Sequence, residues 1–88
     1  MSVRIREQKM GYAKTEREWA ERAGRHLKAE LKRADVTYDQ LAQRLEKYGF
    51  GETKASIANK LARATISAHF LLASLAAIQV SQIRLEDI

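Results

Sequence analysis

Proline occurs nowhere in this chain and glycine only at Gly11, Gly24, Gly49 and Gly51, so the backbone leaves helices free to run with few forced breaks. Between those points apolar residues recur at three- and four-residue spacings, the period of a helix with one buried stripe. An all-α fold of four helices, with room for a fifth, is expected. The first helix should run from Thr15 or Glu16 to about Ala34, with Trp19, Ala20, Ala23, Leu27, Leu31 and Ala34 on its stripe. Glu18 with Arg22 and Glu21 with Arg25 then form i,i+4 pairs on its wet side. Thr37 followed by Gln40 reads as a capping box. It opens a second helix with Tyr38, Leu41, Ala42, Leu45 and Tyr48 on one face, which Gly49 can close in the left-handed conformation. Thr53 can cap a third helix that packs through Ile57, Ala58, Leu61, Ala62 and Ala64. Ser67 can cap a fourth through about Gln79, and Phe70, Leu71, Leu72, Leu75 and Ile78 make it the most apolar and the expected central helix.

Eighty-eight residues fit a single domain. Residues 1–14 stand apart in composition, with Arg4, Arg6, Lys9 and Lys14 against Glu7 alone. They read as a basic N-terminal arm, suited to phosphates or a minor groove, or equally as a solvated terminus without a partner. Residues 15–80 form the helical domain. The tail, residues 81–88, admits two readings: Ile83 and Leu85 alternate as in a strand, while Val80, Ile83 and Asp87 suit a turn of helix. Val3 and Ile5 alternate likewise, so a two-stranded ribbon could join the ends, with Arg4 and Arg6 near Glu86 and Asp87.

Composition narrows the function. Without cysteine there is no disulfide, no thiolate nucleophile and no sulfur ligand for zinc. His26 and His69 have no ligand-like spacing, and no Gly-rich phosphate loop, nucleophile elbow or Ser/His/Asp pattern is present. No enzyme, cofactor, metal or small-molecule ligand is expected. No signal peptide is recognisable and AHFLLASLAAIQV is too short to span a bilayer, which points to a cytoplasmic chain without a membrane partner. A net charge of +5 and a pI near 9.8 favour a polyanionic partner. Between Glu52 and Glu86 no acid occurs, while Lys54, Lys60, Arg63 and Arg84 lie in that interval.

The segment ASIANKLARAT concentrates the question. With about 100° per residue, Ser56, Asn59, Lys60 and Arg63 fall within an arc of roughly 100° opposite Ile57 and Leu61. Asparagine can bond bidentately to adenine, arginine or lysine to guanine, and serine to a base or a phosphate, so these four are candidate base contacts in a major groove. The same face would serve equally as the solvated side of an amphipathic helix.

The succession VTYDQLAQRLEKYGF, ETKASIANKLARA and ISAHFLLASLAAIQV resembles lambda-repressor and Cro-like helix-turn-helix domains over about Trp19 to Val80. More narrowly, ELKRADVTYDQLA with ETKASIANKLAR and SAHFLLASLAAI looks like a family of short bacterial proteins catalogued only as a domain of unknown function. That narrower likeness implies no activity. The helix-turn-helix resemblance implies double-stranded DNA as partner, with Tyr38 and Gln40 beside a phosphate at the start of the second helix and Thr53 and Lys54 at the start of the third. Arg44 and Lys47 are further phosphate candidates, and Tyr38 has a competing reading as a core-edge aromatic. Two departures stand out: EKYGFGET is about four residues longer than the usual glycine-containing turn, and Arg63-Ala64 stands where such domains often have a glycine. The expected function is sequence-specific DNA binding by a small transcriptional regulator that places helix 53–64 in the major groove. A homodimer would read half-sites about 34–36 Å apart or multiples of that. The alternative is a protein-interaction or adaptor module on the same scaffold without DNA binding.

Overall fold

The computed structural model describes residues 11–88, and every regular element among them is helical. The α-helices are α1 (Glu16–Ala34), α2 (Tyr38–Leu45), α3 (Lys54–Arg63) and α4 (Ala68–Ala77), with short 3-10 turns at Glu46–Tyr48 and Leu85–Asp87. Both α1 and α2 pack against α3 and α4. Their meeting surfaces enclose one core: Leu27 and Leu31 of α1, Leu41 and Leu45 of α2, Ile57 and Leu61 of α3, and Phe70 and Leu75 of α4. Among the described residues no helix is long and apolar enough to cross a membrane.

Hydroxyl side chains start all four α-helices of the described residues. Thr15, Thr37, Thr53 and Ser67 accept the N–H of Glu18, Gln40, Ser56 and Phe70 respectively, each cap stabilising its helix by about 1 kcal/mol. The helical runs also end alike. The N–H groups of Val36, Phe50, Thr65 and Val80 reach back to the carbonyls of Leu31, Leu45, Lys60 and Leu75, across a left-handed residue at Asp35, Gly49, Ala64 and Gln79. This is the Schellman closure. Only one of the four left-handed residues is glycine; for the others that conformation costs about 1–2 kcal/mol. At three of the closures an apolar residue (Val36, Phe50 or Val80) joins the same core as the leucine whose carbonyl it meets, a contact that helps offset the strain. The closure at Ala64 pairs Thr65 with Lys60 and has no such contact to offset it.

Several expectations are corrected. Trp19 is 39% exposed and stacks on Tyr12, with ring centroids 6.0 Å apart. At 1.5 Å per residue α1 is about 28 Å long and its ten-residue partners about 15 Å, so its first turns overhang them. Tyr48 is exposed because it sits in a 3-10 turn of about three residues per turn, which loses the phase of the α2 stripe. Ala62 and Leu72 are exposed as well, Leu72 to 61%, because the packed stripes of α3 and α4 are narrower than the apolar pattern. Glu21 pairs with Arg17 at 3.1 Å rather than with Arg25, while the Glu18–Arg22 pair forms at 2.9 Å.

The tail is not a strand: residues 81–84 are irregular and Leu85–Asp87 make the 3-10 turn. Gly11 and Ile88 are nevertheless joined through one side chain. One Arg22 guanidinium nitrogen donates to the carbonyls of Gly11 at 3.0 Å and Ile88 at 3.5 Å, and the other binds Glu18 at 2.9 Å. With Ala13 buried, residues 11–14, expected as part of a basic arm, pack back on α1. Arg84 pairs with Glu86 at 2.6 Å and lies 4.0 Å from Asp87. The proposed partners Arg4 and Arg6, and the Val3 and Ile5 alternation, lie outside the described residues.

Candidate nucleic-acid interface

The four candidate base contacts divide into two pairs. Asn59 and Arg63 are exposed, one turn apart on α3, and Ala55 and Ala62 share their open face. Small neighbours let such a helix approach a groove closely, and an alanine methyl can meet a thymine methyl. Ser56 and Lys60 are engaged internally. Thr53 N–H donates to Ser56 Oγ at 2.8 Å, and that hydroxyl donates to Glu52 Oε1 at 2.6 Å. Lys60 Nζ binds the other Glu52 oxygen and sits 4.9 Å from the centre of the Phe70 ring.

Glu52 was no part of the sequence-based site. It precedes the Thr53 cap, so a helical wheel beginning at the cap does not include it. Its side chain is only 9% exposed. Burial alone would raise its carboxyl, but the hydrogen bonds from Lys60 and Ser56 outweigh that and hold it below the usual carboxylate range. The acid-free interval after Glu52 is therefore less positive than its composition suggests. Lys60 is matched by Glu52 and Arg84 by Glu86, which leaves Lys54 and Arg63 as that interval's cations with no ion pair among the described residues.

The longer turn has a packing role. Gly49 is left-handed with φ 88°, and Phe50 then folds onto α4, edge-on to Phe70 at 6.3 Å and stacked with His69 at 6.1 Å. The turn is pinned on α4 and leaves Asn59 and Arg63 open.

The phosphate candidates are similarly sorted. Gln40 accepts the Thr37 N–H at 2.9 Å and Thr53 accepts the Ser56 N–H at 3.0 Å, so both side chains act as caps. Tyr38 is half-buried against the core, in keeping with its core-edge reading. Arg44 donates to the Ala77 carbonyl at 3.2 Å, closing the end of α4. Lys47 lies exposed over the Tyr48 ring at 5.4 Å, and Lys54 is exposed at the first turn of α3. Arg4 and Arg6 lie outside the described residues.

Neither the curated proteins nor the solved structures contain a match to this chain. A family model described as a domain of unknown function (DUF6471) matches residues 19–83, from the first turns of α1 past the end of α4, and the chain belongs to that family.

Proposed function

We propose that the protein binds double-stranded DNA in a sequence-dependent way, as a small transcriptional regulator of the lambda-repressor-like helix-turn-helix type, with α3 in the major groove. The observation that carries this reading is the open face of α3, where Asn59 and Arg63 stand among alanines. Asn59 reads adenine and Arg63 guanine, the pairings their donor and acceptor geometry favours. Lys60 and Ser56 serve less as readers than as the latch that fixes the start of α3 against Glu52. Lys54 and Lys47 supply phosphate contacts.

One such domain offers a modest interface, so the working species is a homodimer on two half-sites. Its dimer surface is the outer stripe of α4, Ala68, Leu72 and Ala76, exposed in a stretch with no charged residue between Arg63 and Arg84. An uncharged stripe lets two basic chains meet without burying like charges. The test is anisotropy with random-sequence duplexes across a salt series. With five or six phosphates neutralised by each protomer, log affinity falls against log salt with a slope of about −5 per protomer bound. Absence of binding at low salt sinks the reading and leaves the protein-interaction alternative.

A further inference from the structure

We infer that α1 carries a second row of backbone-binding cations, Arg25, Lys28 and Lys32, which grips duplex phosphates alongside α3; this rests on the DNA-binding reading above. The row follows from helical spacing and from how the ion pairs are shared. At about 100° per residue, positions 25, 28 and 32 fall within roughly 60° of one another on α1. Glu21 lies on the same side but is bound to Arg17 at 3.1 Å. Arg25, Lys28 and Lys32 are all exposed and none has an ion pair among the described residues. The other arginines of this helix, Arg17, Arg22 and Arg33, are matched by Glu21, Glu18 and Glu30.

The packing sets this row beside the reading helix. Gly24 lies beside Leu61, where an added Cβ would stand at an ordinary contact distance of 3.8 Å from its side chain. That crossing creates a groove of about 270 Å³ in which Arg25 and Lys28 of α1 face Ala62 and Ala64 of α3. Lys28 and Lys32 also line a second groove, of about 470 Å³, that runs to Thr37 and Tyr38 at the start of α2. Asp35 borders that second groove, leaving the three-cation row with a surplus of positive charge. The row thus joins the exposed end of α3 to the first turn of α2. From Arg25 to Lys32 it covers about 10 Å along the helix, a reach of about three nucleotides on one strand at 3.4 Å each. Phosphates bordering the groove that holds α3 are a ligand of matching charge and spacing.

The experiment compares wild type with Arg25→Gln/Lys28→Gln/Lys32→Gln, and with Arg33→Gln, whose arginine is already paired with Glu30, as a control. Duplex anisotropy is read from about 50 to 200 mM salt, after circular dichroism has confirmed folding. Removal of three phosphate contacts per protomer shallows the log–log slope by about 2.7 for each protomer bound, so per protomer wild type loses about 40-fold more affinity than the triple variant over that range. Base preference is unchanged, and Arg33→Gln keeps the wild-type slope. If the triple variant does not fold, Lys28→Glu alone is used, with a reduced slope expected. A wild type that binds while the substituted chain keeps its slope overturns the row and leaves the DNA reading standing. A wild type that does not bind duplex removes both.

Discussion

Glu52→Gln should weaken the fold and strengthen DNA binding at the same time, a combination that few substitutions would produce. The change keeps the side chain's shape but removes its charge. Glu52 receives one hydrogen bond from the Ser56 hydroxyl and one from the Lys60 ammonium, and its side chain is 9% exposed while that of Lys60 is 36% exposed. Hydrogen bonds to charged groups contribute about 1.5–3 kcal/mol. Because Lys60 can swing into water, the lower end applies, a loss of about 1.5 kcal/mol. For a domain of this size that is a fall in Tm of about 6–12 °C. The freed Lys60 becomes available to phosphate, steepening the salt slope by about 0.9 per protomer bound. The sign with pH is also fixed. Since the folded-state carboxyl lies below its ordinary value of 4.5, its contribution is present above that value and is lost as pH falls through the folded pKa. The stability gap between wild type and variant should therefore close in acid. Thermal melts between neutral and acidic pH, paired with anisotropy at neutral pH, test all three points. A variant as stable as wild type at neutral pH, or one that binds duplex more weakly at low salt, refutes the latch.

Two further substitutions probe the fold. Ser74 is wholly buried and its hydroxyl has no hydrogen-bond partner among the described residues, so Ser74→Ala should raise stability by about 1 kcal/mol in urea titration; destabilisation would mean that the hydroxyl is satisfied. Ala64 is left-handed at φ 56°, and Ala64→Gly should add about 0.5–1 kcal/mol once the flexibility of glycine in the unfolded chain is set against the relieved strain. A loss of stability there would contradict the Schellman closure at the end of α3.

The helix starts were legible because a hydroxyl at the N-cap is a local signal: Thr37, Thr53 and Ser67 each cap where expected, and Thr15, expected only as one of two places where the first helix begins, caps it as well. Three of the four closures were not, since Asp35, Ala64 and Gln79 adopt a conformation that their own side chains disfavour. Tertiary geometry decides those positions. The candidate site was half legible. Helical phase correctly grouped Asn59 and Arg63 on the open face, but the Glu52–Lys60 contact spans eight residues across a cap and leaves no mark on a helical wheel. The α1 cations were obscured for a related reason. Glu21 has a basic residue four positions away on either side, and the sequence does not say that Arg17 takes it and Arg25 is left over. Trp19 and Leu72 show the complementary limit, that periodicity gives the direction of a stripe without the length or width of whatever covers it.

The central claim, that the open face of α3 reads sequence, is tested most directly by selecting bound duplexes from a random pool with wild type, Asn59→Ala and Lys54→Ala in parallel. Wild type should enrich a motif, and Asn59→Ala should lose the preference at one position, at about 1–3 kcal/mol. Lys54→Ala should keep the motif with uniformly weaker binding. Equal, sequence-independent losses for the two variants, or no motif from wild type, would contradict the account.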